Sequence, residues 1–214
     1  MKKIVIKLVV ICMVICSILT TKTDDYNAKT LDGKMPIEPA QYQKILGKGM
    51  DVDWSKTKKG RETYSEKIVK DFKKAGISHV RIRIKDEISE QLFENLDKQV
   101  DDCLINGIIP IIAYQANGFK NDVSKEEMDK VVEWWTAMAE HYQEKSYLLS
   151  FDMMIECTDA LNKNPDKLNE LYENVVTAIR KTNPQRILMM SPRVRSDAQY
   201  LSELKVPTQA NGYL

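Results

Sequence analysis

From Leu46 onward, short apolar runs alternate with long charged segments. The runs cover residues 47–52, 77–84, 108–115, 147–156 and 186–192. Those reading HVRIRI and IIPIIAY are apolar or branched almost throughout, the pattern of strands covered on both faces. The segments between them repeat at helical spacing. Residues 61–75 carry Tyr64, Ile68, Val69 and Phe72, and Gly76 stops the helix. Residues 89–106 carry Leu92, Phe93, Leu96, Val100, Cys103 and Leu104, closing on Asn106-Gly107. A third helix opens with a capping box, Ser124 and Glu127, and places Met128, Val131, Val132, Trp135 and Ala139 on one face. Pro165 opens a fourth, with Leu168, Leu171, Tyr172, Val175, Val176 and Ile179 before Asn183-Pro184. Strand–helix alternation predicts an α/β fold with parallel pairing. An open doubly wound sheet and a closed (β/α)8 barrel both fit it. The first strand–helix turn holds Gly47 and Gly49 without a third glycine, which weakens a dinucleotide-binding reading.

Length sharpens the architecture. A barrel of eight units takes ~250 residues, whereas residues 43–214 hold five complete units and the start of a sixth at 210–214. The expectation is a (β/α)8 TIM-barrel type domain truncated to about five βα units. The close on GYL reads as a fragment, and an open barrel leaves unpaired strand edges. Residues 23–42, polar and turn-rich with Pro36 and Pro39, read as a linker with a short helix after Pro39. Before them Lys2, Lys3 and Lys7 lead into LVVICMVICSIL, residues 8–19. A basic start and an apolar core too short for the ~20 residues of a membrane span describe an export signal over 1–22. A retained N-terminal anchor is the alternative. The expected location is extracellular, with no stable membrane partner after cleavage.

Bulk composition changes little. The chain has 214 residues, with 32 basic and 31 acidic side chains, so nothing in its charge asks for nucleic acid. The expected partner is a neutral polysaccharide or oligosaccharide, bound by a monomer. Cys12 and Cys16 lie in the leader, leaving Cys103 and Cys157 as buried thiols rather than a disulfide framework. His79 opens a strand and His141 lies in a helix, both as structural or solvated groups. No metal constellation or Ser-His-Asp arrangement stands out, and no cofactor is expected.

In α/β folds chemistry gathers where strands end. The strand-end set is Asp51, Asp53 and Trp54; Arg81 or Arg83; Tyr114 and Gln115; Glu156 with Asp159; and Arg193. Glu156 is the best acid–base candidate, because Met153, Met154 and Ile155 would favour its protonated form by desolvation. The alternative is a solvent-facing carboxylate at the end of a strand. Arg81, inside an apolar strand, needs a carboxylate partner. Trp54 is either a platform for a sugar ring or a core residue. Trp134 and Trp135, on a helix, are packing residues. Asp152 shares the strand parity of Glu156 and lies one layer below.

The segments LGKGMDVDW, KDFKKAGISHVRIRI, GIIPIIAYQ, SFDMMIE and AIRKTNPQRILMMSP, in this order, resemble glycoside hydrolase family 5, the cellulase-type (β/α)8 retaining enzymes. The resemblance covers residues 43–207 and implies a β-1,4-glucan-cleaving, endoglucanase-like activity. It places the VRIP-type arginine on Arg81 and the general acid/base on Glu156. It sets Gly49-Met50-Asp51 near a glycine–asparagine pair on the first strand. At three positions the chain departs from the family. Ile155 stands where the family has an asparagine that contacts the sugar 2-hydroxyl, Cys157 replaces a proline, and Gln115 replaces a histidine. The resemblance puts the nucleophilic glutamate on a seventh strand, beyond Leu214. A binding or scaffold protein without turnover, derived from the same fold, is the competing expectation.

Overall fold

The computed structural model describes residues 33–212; the expected export signal over 1–22 and residues 23–32 of the expected linker lie outside them. The described chain forms five parallel strands in the order β1-β2-β3-β4-β5. They are β1 (Gly49–Val52), β2 (His79–Ile84), β3 (Ile109–Tyr114), β4 (Ser150–Asp152) and β5 (Leu188–Met189). Each neighbour in space is the next in sequence, the winding of a barrel wall rather than of a doubly wound sheet, whose order reverses partway.

Helix α1 (Pro39–Leu46) precedes β1. Helices α2 (Lys58–Thr63) and α3 (Glu66–Lys74) follow β1, and α4 (Glu90–Ile105) follows β2. The short α5 (Asn117–Asn121) and long α6 (Lys125–His141) follow β3. A 3-10 turn (Asp159–Lys163) and α7 (Pro165–Arg180) follow β4. Half of the expected capping box forms: Ser124 Oγ accepts from the Glu127 amide, but the Ser124 amide donates to Asp122 Oδ1 rather than to the Glu127 side chain. The single helix expected over 61–75 is two, because Tyr64 is extended. Its ring packs 4.9 Å from Trp54 and its hydroxyl donates to Asp102 at 2.9 Å.

Parity along β2 separates two environments. Val80, Ile82 and Ile84 are fully buried against the helices, together with Ile112, Phe151 and Leu188 of neighbouring strands. His79, Arg81 and Arg83 point the other way, into what would be the barrel interior, in register with Ile109, Ile111 and Ala113. The register continues this inner face through Asp51 on β1 and through Ser150, Asp152 and Met189 on β4 and β5.

The strand-start end is closed by α1. Tyr42 is buried; its hydroxyl donates to Leu148 O and accepts from the Ser150 hydroxyl, both at 2.9 Å. Ile37 is buried beside it, so these two residues of the stretch read as a linker belong to the packed unit. Arg186 is buried with all five donors used: Nε to Asn183 Oδ1, Nη1 to Ser146 O and Leu149 O, Nη2 to Tyr142 O and Lys145 O. Burial pulls its pKa down to about 10, well above neutrality, and five oxygens solvate the charge in place of water. The sixth strand expected at 210–214 does not begin in the described part, which is a turn through Gly212. Arg180 holds this segment by donating to Gln209 O and Ala210 O.

Candidate functional site

The site starts from the two arginines of β2, two residues apart on the inner face. Arg81 meets a carboxylate through each of its nitrogens: Nε and Nη2 meet the two oxygens of Asp51 at 2.7 and 2.8 Å, and Nη1 meets Asp152 Oδ2 at 3.0 Å. This supplies the carboxylate partner the sequence demanded, twice over. The Arg81 guanidinium, first by its hydrogen bonds, lowers the pKa of Asp51. Asp152 behaves oppositely. Its side chain is 4% exposed, and burial outweighs the attraction of Arg81, raising its pKa to about 6. Its Oδ1 has no hydrogen-bond partner. The three groups line an open depression of about 470 Å³ with His79, Ile111 and Met189.

One layer nearer the strand ends, Arg83 reaches Asp53 Oδ1 through Nε at 2.9 Å and Nη2 at 2.8 Å. Its Nη1 faces Asp51 Oδ2 at 3.7 Å and Glu156 Oε1 at 3.9 Å. Gln115, one residue past β3, is tied to β2 through its amide on Ile84 O. Its Nε2 lies 3.4 Å from Glu156 Oε2.

Glu156 owes its position to the residues on either side. Strand β4 ends at Asp152, but the Ile155 amide still reaches Tyr114 O at 3.1 Å. The Cys157 carbonyl accepts from the Arg195 amide in the turn after β5, at 2.9 Å. Between these anchors Glu156 has φ +53, a left-handed conformation that costs a non-glycine residue roughly 1–2 kcal/mol. Met153, Met154 and Ile155 turn fully into the core, while the Glu156 side chain stays 46% exposed. Other left-handed residues crowd the same end: Ala116 after β3, Asp159 after β4, and Val194, Arg195 and Ser196 after β5. Strain held by surrounding structure is thus gathered at the strand-end rim.

Several expected site residues are placed elsewhere. Trp54 is 7% exposed and packs on Tyr64 and Phe72, so it is core and not a sugar platform. Tyr114 stacks on Trp134 at 4.0 Å on the helix side. Ile155 is fully buried, so only its backbone belongs to the site. Asp159 is engaged by Thr158, and Arg193 pairs with Glu203 and lies over Tyr200. Gln115, Arg81, Asp51 and Glu156 do converge on one rim.

Lys120, on α5, is a residue the sequence did not single out. It is 3% exposed, and burial lowers its pKa, opposed by Cys157, Glu156 and Asp159. A lysine in a short polar loop carries no signal of burial, which comes from α5 folding against the turn after β4. Cys157 is buried, and its pKa is pushed up to about 11 by burial, which leaves it a packing residue rather than a nucleophile. The rim thus offers Glu156, an exposed carboxylate flanked by amide and guanidinium donors and not bound to either β2 arginine at hydrogen-bond distance, above the Asp51–Arg81–Asp152 bridge. Such a surface can bind hydroxyl-rich ligands and exchange one proton.

The family model described as Cellulase (glycosyl hydrolase family 5) matches residues 39–212. Among curated proteins, Endoglucanase H of Acetivibrio thermocellus is 25% identical over 195 residues, covering 80% of this chain and 20% of that protein. Among solved structures, a hyperthermophilic endo-beta-1,4-glucanase in complex with substrate superposes with a TM-score of 0.74 at 26% identity, covering 82% of this chain and 60% of the other. The clostridial cellulose synthase subunit Z of Clostridioides difficile gives 0.69 at 26% identity, covering 78% and 59%. The chain therefore spans about a fifth of that curated relative and about three fifths of these solved structures.

Proposed function

The chain belongs to glycosyl hydrolase family 5, the cellulase family, and we propose that it carries the acid/base half of a retaining β-glycosidase site for β-1,4-glucan or a similar neutral polysaccharide. The observation that carries this reading is Glu156: an exposed carboxylate, held in a left-handed backbone at the strand-end rim, with Gln115 and Arg83 beside it. It protonates the leaving oxygen and then deprotonates the attacking water. Arg81, locked by Asp51 and Asp152, is a rigid, charge-compensated floor beneath it.

Retention needs a second carboxyl about 5–5.5 Å from the first, to attack the anomeric carbon. Asp51 and Asp53 are committed to Arg81 and Arg83, and Asp152 is buried. The nucleophile is assigned to the part of the barrel that relatives possess and these 214 residues do not span. The basic, apolar start at Lys2, Lys3, Lys7 and residues 8–19 supports export, checked by recovering the protein from culture medium with a trimmed N-terminus.

Hydrolysis of carboxymethyl cellulose tests the reading. The 214-residue chain is expected to release no reducing sugar. The same residues within a polypeptide spanning a whole barrel are expected to do so, and Glu156→Gln there to lose roughly 10²–10⁴-fold in kcat. Full activity of Glu156→Gln sinks the assignment. Ile155, apolar and buried where the family places an asparagine, favours a second reading: a glycan-binding protein without turnover. Binding of cello-oligosaccharides with no hydrolysis in either context would establish it.

A further inference from the structure

Of the two arginines of β2, Arg83 has one nitrogen, Nη1, that no carboxylate meets at hydrogen-bond distance. Arg81 spends all three nitrogens on Asp51 and Asp152. Arg83 spends Nε and Nη2 on Asp53 alone, and its Nη1 stands 3.7 Å from Asp51 Oδ2 and 3.9 Å from Glu156 Oε1. Those separations are too long for direct hydrogen bonds. They suit a hydroxyl that accepts from Nη1 and donates to a carboxylate. With one carboxylate on each side of Nη1, two neighbouring hydroxyls can be held this way. On the far side of Glu156, the Gln115 amide adds a third donor group at 3.4 Å.

From this geometry we propose that Arg83 is a substrate-binding, specificity-determining residue that grips a vicinal diol of a neutral sugar beside Glu156. The proposal rests on the glycosidase reading and deepens it. Asp53 fixes the plane of the guanidinium, so Nη1 is aimed before the ligand arrives, and little side-chain entropy is lost on binding. The ligand class follows from the groups that face Nη1. Asp51 Oδ2 and Glu156 Oε1 are carboxylate oxygens, so an anionic sugar group placed between them and Nη1 meets repulsion, where a hydroxyl can donate to them. The apolar side chain of Ile155 is buried and offers the diol nothing, which leaves β2, two strands along the sheet, to supply the contact.

The test is NMR titration of the 214-residue chain with cellobiose, its monodeoxy analogues and cellobiouronic acid. Arg83→Gln is expected to weaken cellobiose binding by about 10- to 100-fold, the usual range for a hydrogen bond to a charged group. Arg83→Lys, which keeps the charge but not the fork, is expected to weaken it too. At least one monodeoxy analogue is expected to bind wild type about tenfold more weakly than cellobiose, yet to show no further loss against Arg83→Gln. Cellobiouronic acid is expected to bind wild type more weakly than cellobiose. If folded Arg83→Gln and Arg83→Lys both bind within twofold of wild type, the Arg83 assignment falls while the glycosidase reading stands. Tighter binding of the uronic acid also overturns it. Should Arg83→Gln not fold, the wild-type analogue panel decides: no deoxy position costing more than twofold overturns the proposal. Absence of any binding by wild type overturns this inference and the glycan reading together.

Discussion

Asp152 is the residue whose environment departs furthest from its sequence appearance. An ordinary carboxyl titrates near 3.8, while burial raises this one to about 6. Between those values the folded chain keeps a proton that the unfolded chain has lost. Raising the pH through about 4 to 6 therefore removes stability. Asp51 works in the opposite sense: its lowered pKa adds stability above its unfolded value, which is lost on acidification. Urea denaturation at a series of pH values checks this. Asp152→Asn is expected to abolish the loss of stability between pH 4 and 6, and persistence of the same slope would assign it to another group. Trp54→Phe addresses a different residue. Because Trp54 is wedged between Tyr64 and Phe72, the substitution is expected to lower stability by about 1–2 kcal/mol, within the range for core shape changes. Cellobiose affinity should stay within twofold; a tenfold loss would return Trp54 to the sugar site. The sequence exposed the need for a partner at Arg81 because a charge in an apolar strand is costly alone. Whether an aromatic at a strand end faces ligand or core was not legible at Trp54, since both uses need the same residue. The burial of Lys120 was equally hidden, because it depends on how α5 meets a distant turn.

At the level of elements, periodicity read well and breaks read poorly. The helices α4, α6 and α7 stand where apolar spacing put them, and the Ser124 cap forms. Ser124→Ala is expected to cost about 1 kcal/mol by thermal denaturation. The run at 147–156 looked like one long strand, yet β4 holds only Ser150–Asp152 and the chain then bends towards Glu156. That bend depends on hydrogen bonds to Tyr114 and from Arg195, groups far away in sequence. The pairing of β1 and β2 hides another long-range demand. A Cβ on Gly49 would lie 1.9 Å from His79 Nε2, because the imidazole, bonded to Leu46 O, lies over the glycine. Gly49→Ala is expected to destabilise the fold by about 1–3 kcal/mol, and adding His79→Ala to recover part of it. Strictly additive losses in that cycle would show that the ring is not what reserves the position for glycine.

For the whole molecule, strand order and coverage agree. Five sequential parallel strands make a barrel wall with β1 and β5 as its outer members, and about three fifths of the solved relatives' length is spanned. Amide hydrogen exchange is expected to be slow in β2 and β3, which are paired on both sides, and fast in β5. Equal protection in β5 would mean that another segment covers that edge. The two ends of the wall are built differently. Left-handed residues and part-exposed charges gather at the strand-end rim, while at the strand-start end the charge of Arg186 is buried among five oxygens, four of them backbone carbonyls. Because those four oxygens belong to the main chain, substitutions within residues 142–149 leave the charge solvated, whereas insertions there would strand it. As a cradle for that charge, the strand-start end is thus set by chain length rather than by side-chain identity. A designer seeking new specificity would lengthen loops at the opposite rim.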